Sequence, residues 1–207
     1  MSLLGQHVWL AVIPVVLGLI IALPVGYVAR RFSWTYPPLV SIAGLLYTIP
    51  SIALFVLAPG ILGTQILDPV NVLFPLTIYT VALLVRVVAD GLASVPTDVL
   101  QSATAMGYGS FARLIRVELP IAVPVISTGL RVAAVSNVGL VTVATAIGTA
   151  QLGQLFSTGL QMSSFRSYYA PIVLGIVLCL LLALVLDGAI VVGTRLLTPW
   201  RRVVRPS

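Results

Sequence analysis

Apolar residues run along this chain in long blocks, without the short alternation of a half-buried strand or the one-sided stripe of a surface helix. Charged residues interrupt the blocks at few places, leaving charge-free runs at 1–29, 32–67, 69–85, 132–165 and 167–186. A helix rising about 1.5 Å per residue needs about 20 mostly apolar residues to cross a bilayer, and most of these runs are long enough. The pattern predicts five spanning helices, over about 8–29, 39–58, 72–92, 121–148 and 171–194. The first stops at Arg30-Arg31, Pro37-Pro38 leads into the second, and Ala58-Pro59-Gly60 ends it. An outer loop with Asp68-Pro69 precedes the third. The fourth is long enough to tilt or to break near Asn137-Val138-Gly139, and an outer loop over 149–169 precedes the fifth. Pro14, Pro24, Pro50 and Pro75 fall inside predicted spans, where they are expected to kink the helix and free backbone groups. Between the third and fourth spans, residues 94–120 form a polar, amphipathic insert.

Composition agrees with the pattern. Of 207 residues, 59% are hydrophobic and 8% charged, with mean hydropathy +1.15. A soluble domain carries about 25% charged residues to face water. The chain therefore reads as an all-α integral membrane protein with about five transmembrane helices, one domain over 1–207. It contains no lysine, so it has no Walker A loop with its phosphate-binding Lys. A single histidine, His7, and a single cysteine, Cys179, exclude a His/Cys metal cluster or a disulfide within the chain. Five acidic residues, none near His7 in sequence, offer no paired carboxylates for a membrane enzyme. Cys179, in an apolar run, reads as a buried small hydrophobe. His7 reads as a solvated residue near the chain start.

The net charge of +6 and pI near 10.1 do not indicate a nucleic-acid partner, because no soluble basic domain is present to carry one. Arginines concentrate in loops on one side of the predicted helices. With the N-terminus outside, the segments 30–38, 94–120 and 195–207 face the cytoplasm, while 1–7, 59–71 and 149–169 hold one arginine, Arg166. That sidedness follows the positive-inside rule. The C-terminus, with Pro199-Trp200-Arg201-Arg202, is then an interfacial cytoplasmic tail; Tyr168, Tyr169 and Trp200 suit the membrane–water interface. No basic residue precedes the first apolar run, so this run reads as a retained helix rather than a cleaved signal peptide. An odd helix number and the lack of a tandem repeat disfavour the two inverted halves usual in a secondary transporter.

The insert reads SVPTDVLQSATAMGYGSFARLIRVELP. Pro96 suits the first turn of a helix and Asp98 the positive end of its dipole. Val99, Ala103 and Met106 share a face, and Gly107 can take the left-handed conformation that ends a helix. Ser110 can cap a second helix carrying Phe111, Leu114 and Ile115 on one face, with Arg113 and Arg116 elsewhere. Pro120 starts the next span. On physics alone this is either an interfacial connector or a docking surface. The order Gln101-Ser102-Ala103, three residues, Gly107, nine residues, Val117, one residue, Leu119-Pro120 resembles the EAA loop of ABC importer permeases. Gln stands for the family's Glu, Ser for its first Ala and Val for its Ile.

Further segments resemble the glycine betaine/carnitine/choline permease subfamily. These are Leu46-Tyr47-Thr48-Ile49-Pro50-Ser51-Ile52-Ala53-Leu54; Leu84-Val85-Arg86 with Gly91-Leu92 and Pro96; and Ala146-Ile147-Gly148 with Leu152-Gly153 and Gly159-Leu160, where Gln151 replaces a glycine. The resemblance implies a type I importer permease fold and a coupling loop of Gln101, Ser102, Ala103, Gly107, Arg113, Val117, Leu119 and Pro120. It also implies two cytoplasmic ATPases holding ATP and Mg, a second identical or homologous permease, and an extracytoplasmic binding protein. No cofactor on this chain is implied. The cargo would be a compatible solute such as glycine betaine, choline or carnitine. Alternatives are an importer of another small solute (amino acid, phosphonate or anion), and a channel or secondary transporter working without ATPase partners.

A charge in mid-membrane needs a partner or a role. Arg86 and Asp90, one helical turn apart, can pair structurally or serve a gate. Arg131 is expected to pair with Asp187 or with Asp90. Asn137, Thr142 and Thr145 form a polar stripe on the fourth span, and Tyr47, Thr48 and Ser51 another on the second. Such groups glue helices or line a hydrated path, and Tyr47 could stack on a quaternary ammonium.

Overall fold

The computed structural model of the chain describes residues 2–163 and 169–202. Arg166, Tyr168, Arg205 and the side chains of Arg201 and Arg202 lie outside that description. Helix α1 (Leu3–Arg31) leads to α2 (Tyr36–Thr48), α3 (Ser51–Leu62), α4 (Val70–Ala93) and α5 (Thr97–Ala105). Helix α6 (Ser110–Ile147) follows, then α7 (Gln154–Ser163) and α8 (Ala170–Leu197), with a last 3-10 turn at Pro199–Arg202. No strand occurs among the described residues. Helices α1, α4, α6 and α8 are each long and apolar enough to cross a bilayer, and the bent pair α2–α3 supplies a fifth crossing if counted as one.

The second predicted span, 39–58, is not one helix. It breaks between Thr48 and Ser51, and the two pieces meet at 98°. Pro50 causes the break: it has no N–H to donate, and its ring pushes Ile49 out of the helical region, to φ −67°, ψ 130°. Helices α1 and α4 run on through Pro14, Pro24 and Pro75.

Two further expectations change. The fourth predicted span, 121–148, starts eleven residues earlier than expected, since α6 is unbroken from Ser110. A π-helical stretch, Leu114–Glu118, explains why Pro120 does not stop it. The Leu119 N–H bonds back to the Leu114 carbonyl, and this wider turn makes room for a ring that would clash with the carbonyl four residues back. The helix also passes Asn137-Val138-Gly139 unbroken and tightens to 3-10 only at Ala144–Ile147. The predicted outer loop 149–169 contains α7.

Helix α4 is the hub, packed by α1, α2, α3 and α6, while α8 lies against α6 and α7. Gly18 lies against Thr80 and Gly26 against Val88, so α1 and α4 run parallel. Asn137 reaches Thr80, and Gly129 sits on Val87, so α6 runs antiparallel to both. Two buried clusters result. One is built around Leu10, Phe55, Leu76, Tyr79 and Val138; the other, nearer the C-terminal end of α4, around Ala22, Leu84, Val88, Leu92 and Ile126. Cys179 is partly buried against the first. This arrangement gathers Arg30, Arg31, Arg86, the 94–120 insert and Arg195 at one end of the bundle.

Candidate functional site

At the arginine-rich end, α5 begins after Pro96, with Asp98 in its first turn. Its C-terminus is a Schellman turn. Gly107 takes φ +85°, its N–H bonds the Thr104 carbonyl (3.0 Å), and the Tyr108 N–H bonds the Ala103 carbonyl (3.1 Å). This pairing of bonds requires a left-handed residue, which glycine adopts without steric penalty. Gly109, not Ser110, is the N-cap of α6; it is extended at φ −66°, ψ 161°, and no side-chain cap bond forms there.

Arg113 braces the turn. Its Nε donates to Glu118 Oε1 (2.9 Å) and its Nη1 to Thr104 Oγ1 (2.9 Å), so one guanidinium ties α5 to the start of α6. Glu118 is buried, and the charge-assisted bond from Arg113 offsets its desolvation. Ala103 is buried beneath α5, whereas Gln101, Ser102 and Gly107 are exposed. Val117, Leu119 and Pro120 are half-buried where α6 joins the bundle. Met106 and Phe111 are 70% and 77% exposed, and Ile115 is exposed as well, so the insert carries apolar as well as polar surface.

Two arginines of the spanning helices, Arg86 and Arg131, lie against acids. Arg131 lies flat on Asp187 of α8, Nε to Oδ1 at 2.6 Å and Nη2 to Oδ2 at 2.8 Å, a two-point geometry that fixes orientation as well as contact. Asp90 lies 3.6 Å from Arg86 Nε and accepts from the Tyr36 hydroxyl at 2.7 Å, so it is not the partner of Arg131.

The polar stripe on α6 divides. Asn137 is buried and its Nδ2 donates to Thr80 Oγ1 (3.0 Å) and to the Ala11 carbonyl (3.5 Å), joining α1, α4 and α6. Thr142 and Thr145 instead receive Gln151 Nε2, at the Thr142 carbonyl (3.1 Å) and Thr145 Oγ1 (2.5 Å). On α2, Thr48 bonds its own helix at Leu45 and Ser51 opens α3. Tyr47 and Tyr79 meet edge to face, with centroids 5.6 Å apart and planes at 80°. The Tyr79 hydroxyl donates to the Ile49 carbonyl freed by the helix break. Beside this pair is a shallow surface recess lined by Tyr47, Tyr79, Thr80, Ser136, Asn137 and Leu140 among others. The structure thus brings Tyr47 and Asn137 to one recess and leaves Thr142 and Thr145 in a separate network.

That network centres on His7, which is fully buried rather than solvated. Its Nε2 lies 3.0 Å from the Val138 carbonyl and its Nδ1 3.2 Å from Gln151 Oε1. Gln151, also fully buried, accepts the Gly153 N–H as well. The helix carries His7 inward because α1 begins at Leu3, capped by the Ser2 hydroxyl on the Gly5 N–H. A lone polar side chain in an apolar helix was the available sign that it meets a partner; Gln151, where a glycine was expected, was the other.

Among the described residues, no three His, Cys, Asp or Glu side chains gather as a metal would require. Residues 2–195 match the family described as "Binding-protein-dependent transport system inner membrane component". The chain belongs to that family. The permease is 37% identical over 191 residues to the osmoprotectant import permease protein OsmW of Salmonella typhimurium, covering 90% of this chain and 86% of OsmW. It is 29% identical over 197 residues to the glycine betaine/carnitine/choline transport system permease protein OpuCB of Bacillus subtilis, covering 94% and 87%. The fold superposes on a solved inward-facing structure of the MetNI methionine ABC transporter with TM-score 0.79 and 25% identity, over 94% of each chain. The chain is thus an inner-membrane transport component rather than an enzyme.

Proposed function

We propose that this permease subunit imports a compatible solute of the quaternary ammonium class, such as glycine betaine, choline or carnitine, driven by ATP hydrolysed on separate subunits. The identity to OsmW across nearly the whole chain carries the reading. The arginine-rich end faces the cytoplasm and the N-terminus lies outside, as the positive-inside rule directs. On the cytoplasmic side the insert is the coupling element: α5, with Gln101, Ser102 and Ala103, docks on an ATPase subunit, and the Gly107 turn sets its angle. Arg113 holds α5 to α6 by its bonds to Thr104 and Glu118. Because α6 continues unbroken through Val117, Leu119 and Pro120 into the span, a push on α5 reaches the bundle through one rigid helix.

Two ATPases binding ATP and Mg, a second permease and an external binding protein complete the transporter. Tyr47, Thr48, Ser51 and Asn137 stand on the solute side, while Arg131–Asp187 holds α6 to α8 and Asp90, beside Arg86 on α4, holds α2 through Tyr36. The test is uptake into proteoliposomes containing this chain, its ATPase and a loaded binding protein. ATP-dependent accumulation of glycine betaine, choline or carnitine is expected. Accumulation of methionine or an anion, with none of the three quaternary ammonium solutes, would overturn the solute assignment.

A further inference from the structure

We propose that the right-angled corner of Tyr47 and Tyr79 is a stopping point inside the membrane for the quaternary ammonium head of the solute, a reading that rests on the solute class proposed above. The two rings stand at 80° with centroids 5.6 Å apart, so the buried Tyr79 ring backs the exposed Tyr47 ring edge to face and leaves the Tyr47 face open. Each ring face carries the negative pole of its quadrupole and attracts a cation placed over it. The recess beside them also holds Thr80, Ser136 and Asn137. The amide nitrogen of Asn137 is spent on Thr80 and Ala11, while its oxygen accepts no hydrogen bond among the described residues, leaving an oxygen dipole for a passing cation.

The acids of the chain narrow the occupant. Asp90 is taken by Arg86 and Tyr36, Glu118 by Arg113 and Asp187 by Arg131. Asp68 accepts the Val70 N–H, and Asp98 lies in the insert. No carboxylate therefore lines the recess. A primary ammonium, whose N–H groups seek strong acceptors, would be poorly served there. A trimethylammonium group has no N–H and needs only π faces and oxygen dipoles. The Arg131 guanidinium, which could hold a solute carboxylate, is turned to α8. The corner thus recognises the shared head of betaine, choline and carnitine, not their differing tails.

Position strengthens the case. Tyr79 lies nine residues into α4, about 14 Å along the helix at the standard rise. This depth is within the hydrocarbon layer, where electrostatic attraction is less screened than in water. Tyr79 is fastened through its hydroxyl to Ile49. Tyr47 is 45% exposed, and its hydroxyl makes no hydrogen bond among the described residues, so its ring is the accessible wall.

The experiment uses the whole transporter with Tyr47→Phe and Tyr47→Leu. Phe keeps the π face, and uptake per ATP hydrolysed is expected to stay within about twofold of the parent; Leu keeps apolar bulk and should lose ~3- to 30-fold. ATPase stimulation by the loaded binding protein should be unchanged in both. Equal uptake by the parent and Tyr47→Leu would overturn the corner, and so would ATPase stimulation falling in step with uptake. A second arm works without the transport cycle: NMR saturation transfer from the transporter, in choline-free lipid, to tetramethylammonium. A signal in the parent that is lost in Tyr47→Leu supports the corner. The same signal in both, or none in the parent, overturns it. Failure of the parent to import any quaternary ammonium, with the transfer signal intact, would refute the proposed cargo and leave the corner standing.

Discussion

Replacing Gly107 isolates the backbone requirement of the insert from every other cause. A Cβ built on Gly107 meets no atom within 4 Å, so a substitution there creates no clash. What remains is the conformation, φ +85°. Holding an L-residue in the left-handed region costs about 1–2 kcal/mol. Removing a glycine also restricts the unfolded chain, which returns about 0.4–1 kcal/mol. For Gly107→Ala the net loss taken from the middle of both ranges is therefore about 0.8 kcal/mol, a roughly fourfold rise in opening of the turn. Gly107→Asn should lose less, because a short polar side chain tolerates this region. Hydrogen exchange read by mass spectrometry over residues 94–120 measures it directly. The Gly107 and Tyr108 amides, whose bonds close the turn, should exchange faster in the Ala variant and closer to the parent in the Asn variant. Uptake per ATP should fall in the same order if the turn sets the docking angle of α5. Parental exchange in Gly107→Ala, or a larger effect of Asn than of Ala, would refute the reasoning.

Other expectations rest on packing and pairing. Gly18→Val should lower thermal stability by about 1–3 kcal/mol through overpacking, because its Cβ would stand 2.3 Å from Thr80 Cγ2; pairing a milder Gly18→Ala with Thr80→Ser should recover part of the loss in a melting assay. His7→Leu leaves the buried Gln151 without its partner across the bundle, and about 1–3 kcal/mol of stability should go with it, with faster proteolysis over 148–155. Asp187→Ala strands Arg131 and should reduce folded yield in detergent, whereas exchanging the two as Arg131→Asp with Asp187→Arg should restore some of it, read by size-exclusion chromatography.

The number of apolar spans, the clustering of arginines and the turn at Gly107 were legible along the chain, because each depends on local properties. Span length follows from hydropathy, sidedness from the order of charges, and a left-handed turn from the one residue without a side chain. The helix and turn of the 94–120 insert were legible for the same reason: the stretch from Gln101 to Pro120 is contiguous, and α5 and its turn form largely from their own bonds. Helix packing sets the rest. Pro50 announces a disturbance, but the 98° bend depends on where α4 offers Tyr79 to the freed Ile49 carbonyl. Pro120 announces one too, yet a π turn absorbs it within an unbroken α6. His7 looked solvated because it stands near the chain start; it is buried because α1 packs antiparallel to α6 and brings the Val138 carbonyl and Gln151 to its ring. Tyr47 was one tyrosine among several until α4 set Tyr79 at a right angle beside it. Partners far apart in the chain meet only through helix packing, and no local pattern encodes which atoms will face each other there.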